Sequence, residues 1–213
     1  PEAKTLKLYA DRINAAGGVL GRPIELVTYD DAGDANKART FAQRLVERDN
    51  VVAMVGGSTT GTTMAMIPVF EAAKLPFMSL AGSVNIIEPV RQHVFKSPHT
   101  DRMGCERVFS DMKKRNFTSI ALIAGTDGFG TSMREQCLKV VDKYGIKILI
   151  DQTYGAQDTD MTPQLAKIKA TPGVQAILNT GASGQGPAVL TRNYGQLDMK
   201  SIPLYQNPGV ASR

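Results

Sequence analysis

The sequence predicts an α/β protein built from parallel sheets. Three observations carry that prediction. Short apolar runs of strand length alternate with stretches whose apolar residues recur every three to four positions. The loops after the strand-like runs are rich in Gly, Ser and Thr, as expected where strands end and helices begin. The chain has 213 residues, 42% of them hydrophobic, which is enough for a buried core in one large domain or two small ones.

The elements follow in order. Leu6, Tyr9, Ala10 and Ile13 recur at helical spacing, and Gly17-Gly18 ends that first helix. "PIELVTYDD" (23–31) alternates like a strand. Asp34 is placed to cap the next helix, whose apolar face is Ala38, Phe41, Ala42, Leu45 and Val46. "VVAMV" (51–55) reads as a strand, "GGSTTGTT" as its loop, and a helix then runs to about Lys74. "LPFMSL" and "HVFKS" are short strands separated by an irregular link.

A second alternating block begins near Ser97–Thr100. A helix over about Asp101–Arg115 precedes the strand "SIALIA", and the loop "GTDGFG" leads into a helix ending near Tyr144-Gly145. "IKILIDQTY" is a strand. Thr162-Pro163 predicts a helix start, with Thr162 as N-cap and Pro163 in the first helical position. "VQAILNT", the loop "GASGQG", a helix to about Leu197 and the strand "IPLYQ" complete the order. The expected division is a first α/β unit over 1–98 and a second over 99–213.

Several function classes find no support. No apolar run approaches the roughly 20 residues of a membrane span. The opening "PEAKTLKLYADRINAAGG" lacks the continuous apolar core of a signal peptide. The formal net charge of +5 is dispersed; the densest cluster, Lys113–Arg115, falls late in a predicted helix, where cations suit the dipole, so no nucleic-acid partner is expected. There is no GxxxxGK[ST], "GTDGFG" is not GxGxxG, and "YDDAGD" lacks EF-hand spacing, so neither a cofactor nor a metal is expected. His93 and His99 flank a short strand with no nucleophile beside them, and no catalytic residues are assigned. Cys105 shares an apolar helical stripe with Val108, Phe109 and Met112, and Cys137 shares one with Met133, Val140 and Val141. Two buried free thiols are the expectation.

In parallel sheets, ligands sit beyond the carboxyl ends of the strands. Four loops there, "GGSTTGTT", "SLAGS", "GTDGFG" and "TGASGQG", carry glycines that admit close approach, and hydroxyls and amides that bind anions. A carboxylate is the natural guest of Gly57–Thr60, with Ser58 and Thr59 in that loop, and of Ser83.

The stretch "INAAGGVLGRPIELVTYDDAGDANKA" closely resembles the type I periplasmic binding proteins, in the branch named for the leucine/isoleucine/valine-binding protein. "MVGGSTTGTTMA", "LPFMSLAGS", "ALIAGTDGFGTSMRE", "DTDMTPQLAKIKA" and "QAILNTGASG" follow in family order, so the resemblance covers essentially the whole chain. It implies two doubly wound parallel-sheet lobes that close on a small carboxylate ligand, such as a branched-chain amino acid or an aromatic or keto acid. It implies the substrate-binding subunit of an ABC transporter, periplasmic or extracellular and membrane-associated, whose partners are the membrane permease subunits. A ligand-sensing receptor or regulator of the same fold is the alternative, and an enzyme would need a nucleophile with a base, or a metal cluster. The family begins with a short strand and a glycine-rich loop ahead of the first helix and continues past "YQNPGVASR", so the chain reads as an incomplete copy.

The resemblance also assigns residues. Thr60 matches the Ser that holds the ligand carboxylate, and Ser83 matches the Thr that grips the head group, with Ala81 and Gly82 supplying backbone beside it. Phe129 matches an aromatic at the mouth of the second lobe. Pro208 falls where amino-acid binders carry the acid that pairs with the ligand ammonium, beside the neutral Asn207, and Ala182 falls where they carry a tyrosine. These departures point toward a carboxylate with a larger uncharged body, unless Asp127 turns inward to meet an ammonium.

Overall fold

The computed structural model describes residues 2–182, 184–207 and 210. Two separate parallel sheets organise the chain. The first holds β1 (Met54–Gly56), β2 (Phe77–Ser79) and β3 (Val94–Lys96) in the order β1-β2-β3. The second holds β4 (Ser119–Gly125), β5 (Lys147–Tyr154), β6 (Ala176–Asn179) and β7 (Leu204–Gln206) in the order β5-β4-β6-β7. All pairings are parallel, and no described strand of one sheet pairs with the other.

Helices connect the strands as the apolar periodicity predicts. In the first lobe α1 spans Glu2–Ala15, α2 Ala35–Glu47 and α3 Thr60–Ala73. Asp34 caps α2 by accepting from the amides of Asn36 and Lys37. Ala38, Ala42 and Leu45 of α2 and Met66, Ile67 and Phe70 of α3 bury against Phe77, Ile86 and Val94 to form one core. At the end of α1, Gly18 has a φ of 76°, and a Cβ there would lie 2.1 Å from the Arg22 carbonyl oxygen, so only glycine closes this turn.

In the second lobe α4 spans Asp101–Lys114, α5 Gly128–Val140 (followed by a 3-10 turn to Tyr144), α6 Thr162–Ala170 and α7 Gly186–Gln196. The sheet is doubly wound because β4 alternates. Ile120 and Leu122 face a core with α4 and α5, whereas Ala121 and Ile123 face a second core with Met161, Leu165, Ile168 and Leu190.

Three expectations are corrected. Residues 23–31 form no strand, since an extended segment becomes a strand only by pairing and these residues have no ladder partner among the described residues. They are held by side chains instead: Asn14 brackets the Ile24 backbone, donating to its carbonyl at 2.8 Å and accepting from its amide at 2.6 Å, while Tyr29 stacks on Phe41 and donates to Asp49. Cys105 and Cys137 are not free thiols; they form a disulfide between α4 and α5, with both residues fully buried. The apolar stripes of the two helices face each other, which helical spacing within either one does not reveal. Finally, Thr162 is the first residue of α6 and not its cap; Met161 occupies the cap position, and Asp160 accepts from the Thr162 amide.

Candidate functional site

The carboxyl ends of both sheets open onto one cavity of about 770 Å³. Its first-lobe wall comes from the loop after β1, with Ser58, Thr59 and Thr60, and from Leu80 and Gly82 after β2. Its second-lobe wall comes from Asp127, Gly128 and Phe129 after β4, Ala182 after β6, and Met133 on α5.

The β1 loop is shaped by its own hydroxyls. Thr59 caps α3 by accepting from the Thr62 amide. Thr63 donates to the Gly57 carbonyl at 2.8 Å and lies 2.9 Å from the Ser79 hydroxyl, tying the β1 and β2 loops together. Gly57 has a φ of 68°, and a Cβ there would sit 2.4 Å from Thr63 Oγ1. The Ser58 hydroxyl meets the Glu2 carboxylate. Thr60 differs from its neighbours. It is only 4% exposed, yet its Oγ1 has no hydrogen-bond partner among the described residues. A buried hydroxyl without a partner costs about 1–3 kcal/mol. Here it stands at the N-terminus of α3, where free amides favour an anion.

The opposite wall is also a helix N-terminus. Asp127 caps α5, accepting from the Phe129 and Gly130 amides at 3.0 and 3.2 Å. The lobes touch here: a Cβ on Gly128 would lie 3.2 Å from the Gly61 amide nitrogen, and one on Gly82 would lie 2.6 Å from the Phe129 ring. Behind the β6 loop, Tyr154 donates to Asn179 at 2.9 Å; burial is the main cause pushing its phenol up to about 12, so it stays protonated.

Of the sequence-predicted residues, Ser58, Thr59, Thr60, Gly82, Asp127, Phe129 and Ala182 are brought together around the cavity. Ala81, Ser83 and Asn207 do not line it. Ala81 belongs to the first-lobe core. Ser83 is fully buried, accepts from the Asn85 amide and bonds to Ser132, so Thr60 and Ser83 do not present hydroxyls to one shared anion. Asn207 lies behind the β6 loop and donates to the Gly181 carbonyl at 2.5 Å. Pro208 lies outside the described residues. Sequence reasoning missed His99 and Thr100 in the crossing segment, Ala32 and Gly33 in the turn before α2, and Ala156 and Gln157 after β5, all of which line the cavity. The rule that selected the other loops, position beyond a strand's carboxyl end, also applies to Ala156 and Gln157.

Two parallel α/β lobes meeting over such a cavity are the architecture of a bilobal binding protein. The chain belongs to the periplasmic binding protein family, whose model matches residues 1–209. It is 27% identical over 198 residues to the Leu/Ile/Val-binding protein homolog 7 of Brucella melitensis, a match covering 88% of this chain and 49% of that protein. The chain thus spans about half the length of the curated relatives it matches. Among solved structures it resembles a branched-chain amino acid transporter substrate binding protein from Streptococcus pneumoniae, in complex with isoleucine (TM-score 0.82, 23% identity, 94% of this chain and 56% of that one). It also resembles an ABC transporter solute binding protein from R. palustris, in complex with 4-hydroxybenzoate (TM-score 0.84, 20% identity, 95% and 55%). At these identities the structural likeness is one of fold.

Proposed function

We propose that the chain is a solute-binding unit of an ABC importer, a binder rather than an enzyme, with lobes over 1–98 and 99–213 that close on a small carboxylate. One observation carries this reading: the buried, unpartnered Thr60 hydroxyl beside the N-terminus of α3 at the inter-lobe cavity. A carboxylate there accepts hydrogen bonds from the Thr60 hydroxyl and the helix amides together. Ser58, Thr59 and Gly82 complete the first-lobe side, and Phe129 and Ala182 flank the ligand body. The relatives, named for branched-chain amino acids or solved with isoleucine or an aromatic acid, fit the same ligand class. The Cys105–Cys137 disulfide fits an oxidising compartment such as the periplasm, and the partners on this reading are the importer's membrane permease subunits.

A second reading concerns the rest of the ligand. Asp127 lines the cavity opposite Thr60 and uses Oδ1 for its capping bonds, which favours an ammonium at its other oxygen. The test is a thermal-shift panel of leucine, isoleucine, 4-methyl-2-oxopentanoate and 4-hydroxybenzoate, followed by calorimetry on any stabilising compound. At least one carboxylate stabilises the protein, and Thr60→Ala weakens its binding roughly ten- to a hundredfold, the range for a hydrogen bond to a charged group. Leucine binding well above its keto acid assigns the ammonium to Asp127. Unchanged affinity in Thr60→Ala removes the carboxylate subsite.

A further inference from the structure

The family resemblance gives Ser83 to the ligand, but the structure gives it other work. Ser83 lies in the first lobe, Asp101 at the start of α4 and Ser132 on α5, and they are 0%, 2% and 3% exposed. The Ser132 hydroxyl donates to Asp101 Oδ2 at 2.5 Å. Ser132 has one proton, so the 2.6 Å contact between the two serine hydroxyls must be a donation from Ser83 to Ser132. Ser83 meanwhile accepts from the Asn85 amide at 3.1 Å. Its only proton is therefore committed, and it has none to offer a ligand carboxylate.

The chain of bonds ends on a buried carboxylate that is fully supplied with donors. Asp101 Oδ1 accepts from the amides of Val84 in the first lobe and Arg102 in the second, both at 2.9 Å. The Asp101 amide returns a bond to the Gly82 carbonyl at 2.9 Å. A charge this deeply buried is tolerated only while such donors stay in place. Next to it, Arg102 reaches both oxygens of Glu88 and, through Nε, Gln136 on α5. Gly82, Asp101 and Met133 all line the cavity, so this buried junction forms its floor.

We propose that Ser83, Ser132 and Asp101 form an inter-lobe clasp, a proton-ordered hydrogen-bond chain that holds the lobes together at the cavity floor without the ligand. Ser83 and Ser132 are positioning residues here and not ligand contacts. The proposal rests on the two-lobe reading but not on the identity of any solute, so it is tested on the unliganded full chain. Spin labels on Gln43→Cys and Lys143→Cys, both at exposed positions, report the inter-lobe distance distribution. Ser83→Ala and Ser132→Ala each broaden it toward longer distances. The double variant broadens it no further than either single one, and Ser83→Thr, which keeps the hydroxyl, restores it. Fully additive effects, or a distribution unchanged by Ser83→Ala, overturn the clasp. Ser83→Ala alters a first-lobe loop and leaves the α4–α5 core intact, so it decides the matter alone if Ser132→Ala does not fold. Failure of every solute to bind would count against the carboxylate-capture reading and leave these distances as informative as before.

Discussion

At the residue scale, the site depends on which atoms are already spoken for. Thr59, Thr60, Ser83 and Ser132 carry the same functional group, yet only Thr60 holds a buried hydroxyl with no partner. Gly82 shows the same dependence on surroundings. A Cβ there would lie 2.6 Å from the Phe129 ring across the lobe seam, a contact that exists only while the lobes are together. Gly82→Ala is therefore expected to disfavour closure more than folding. Apparent affinity for a stabilising carboxylate should fall in proportion to the lost closed population, while unliganded stability stays within about 0.5 kcal/mol of the parent. Calorimetry and urea unfolding separate the two, and once the obstructing ring is gone Gly82→Ala should cost no further affinity, so the Gly82→Ala/Phe129→Ala double variant should bind as Phe129→Ala alone does. An equal loss of stability and affinity would show a folding defect instead. The small hydroxyl-rich loops were legible in sequence because glycine and Ser/Thr at strand ends have physical reasons to be there. The engagement of Ser83 was not, because its partners Ser132 and Asp101 are 49 and 18 positions away and no local pattern joins them.

At the element scale, the sequence pattern locates every described α-helix and every described strand, and adds one strand that does not form, since each element depends largely on an apolar face that repeats within one segment. It failed where the outcome depended on a second segment. Residues 23–31 alternate as a strand should, but Leu26 and Val27 are 43% and 41% exposed, and no described strand pairs with this segment. The cysteines are the converse case. Each stripe reads as an apolar face, and the packing of α4 on α5 turns the two faces into a crosslink over 32 positions. Both helices begin at the cavity, so the bridge fixes the second-lobe wall as well as its core. Replacing both residues, as Cys105→Ala with Cys137→Ala, should cost about 2–4 kcal/mol in urea unfolding under oxidising conditions, mainly through a less restricted unfolded chain. The parent in reductant, once unfolded and reduced, should approach the stability of the double variant. No difference between oxidised parent and double variant would mean that the bridge contributes nothing to the fold.

At the scale of the whole molecule, the two lobes are built to different completeness. Every residue of β4 from Ile120 to Gly125 is buried, because cores cover both faces of the second sheet. The first sheet is covered by α2 and α3 on one face. On its other face Val55, Met78 and Phe95, in register across all three strands, are 42%, 37% and 48% exposed. Parallel sheets draw their stability from cover on both faces, so the lobes should open with different free energies. Amide hydrogen exchange reads this directly. The amides of Ala121–Ala124 should exchange only through global unfolding, whereas those of Val55 and Met78 should exchange faster, through sub-global opening of the first lobe. Urea should erase the difference by accelerating the global route, because that route exposes more surface. A carboxylate that closes the lobes should slow the first-lobe amides, since ligand held by Thr60 must leave before that lobe opens. Equal protection of β2 and β4 without ligand would show that the lobes unfold as one unit despite the bare face, and that contacts across the seam, the Ser83–Ser132 bond among them, couple the two cores strongly enough to offset it.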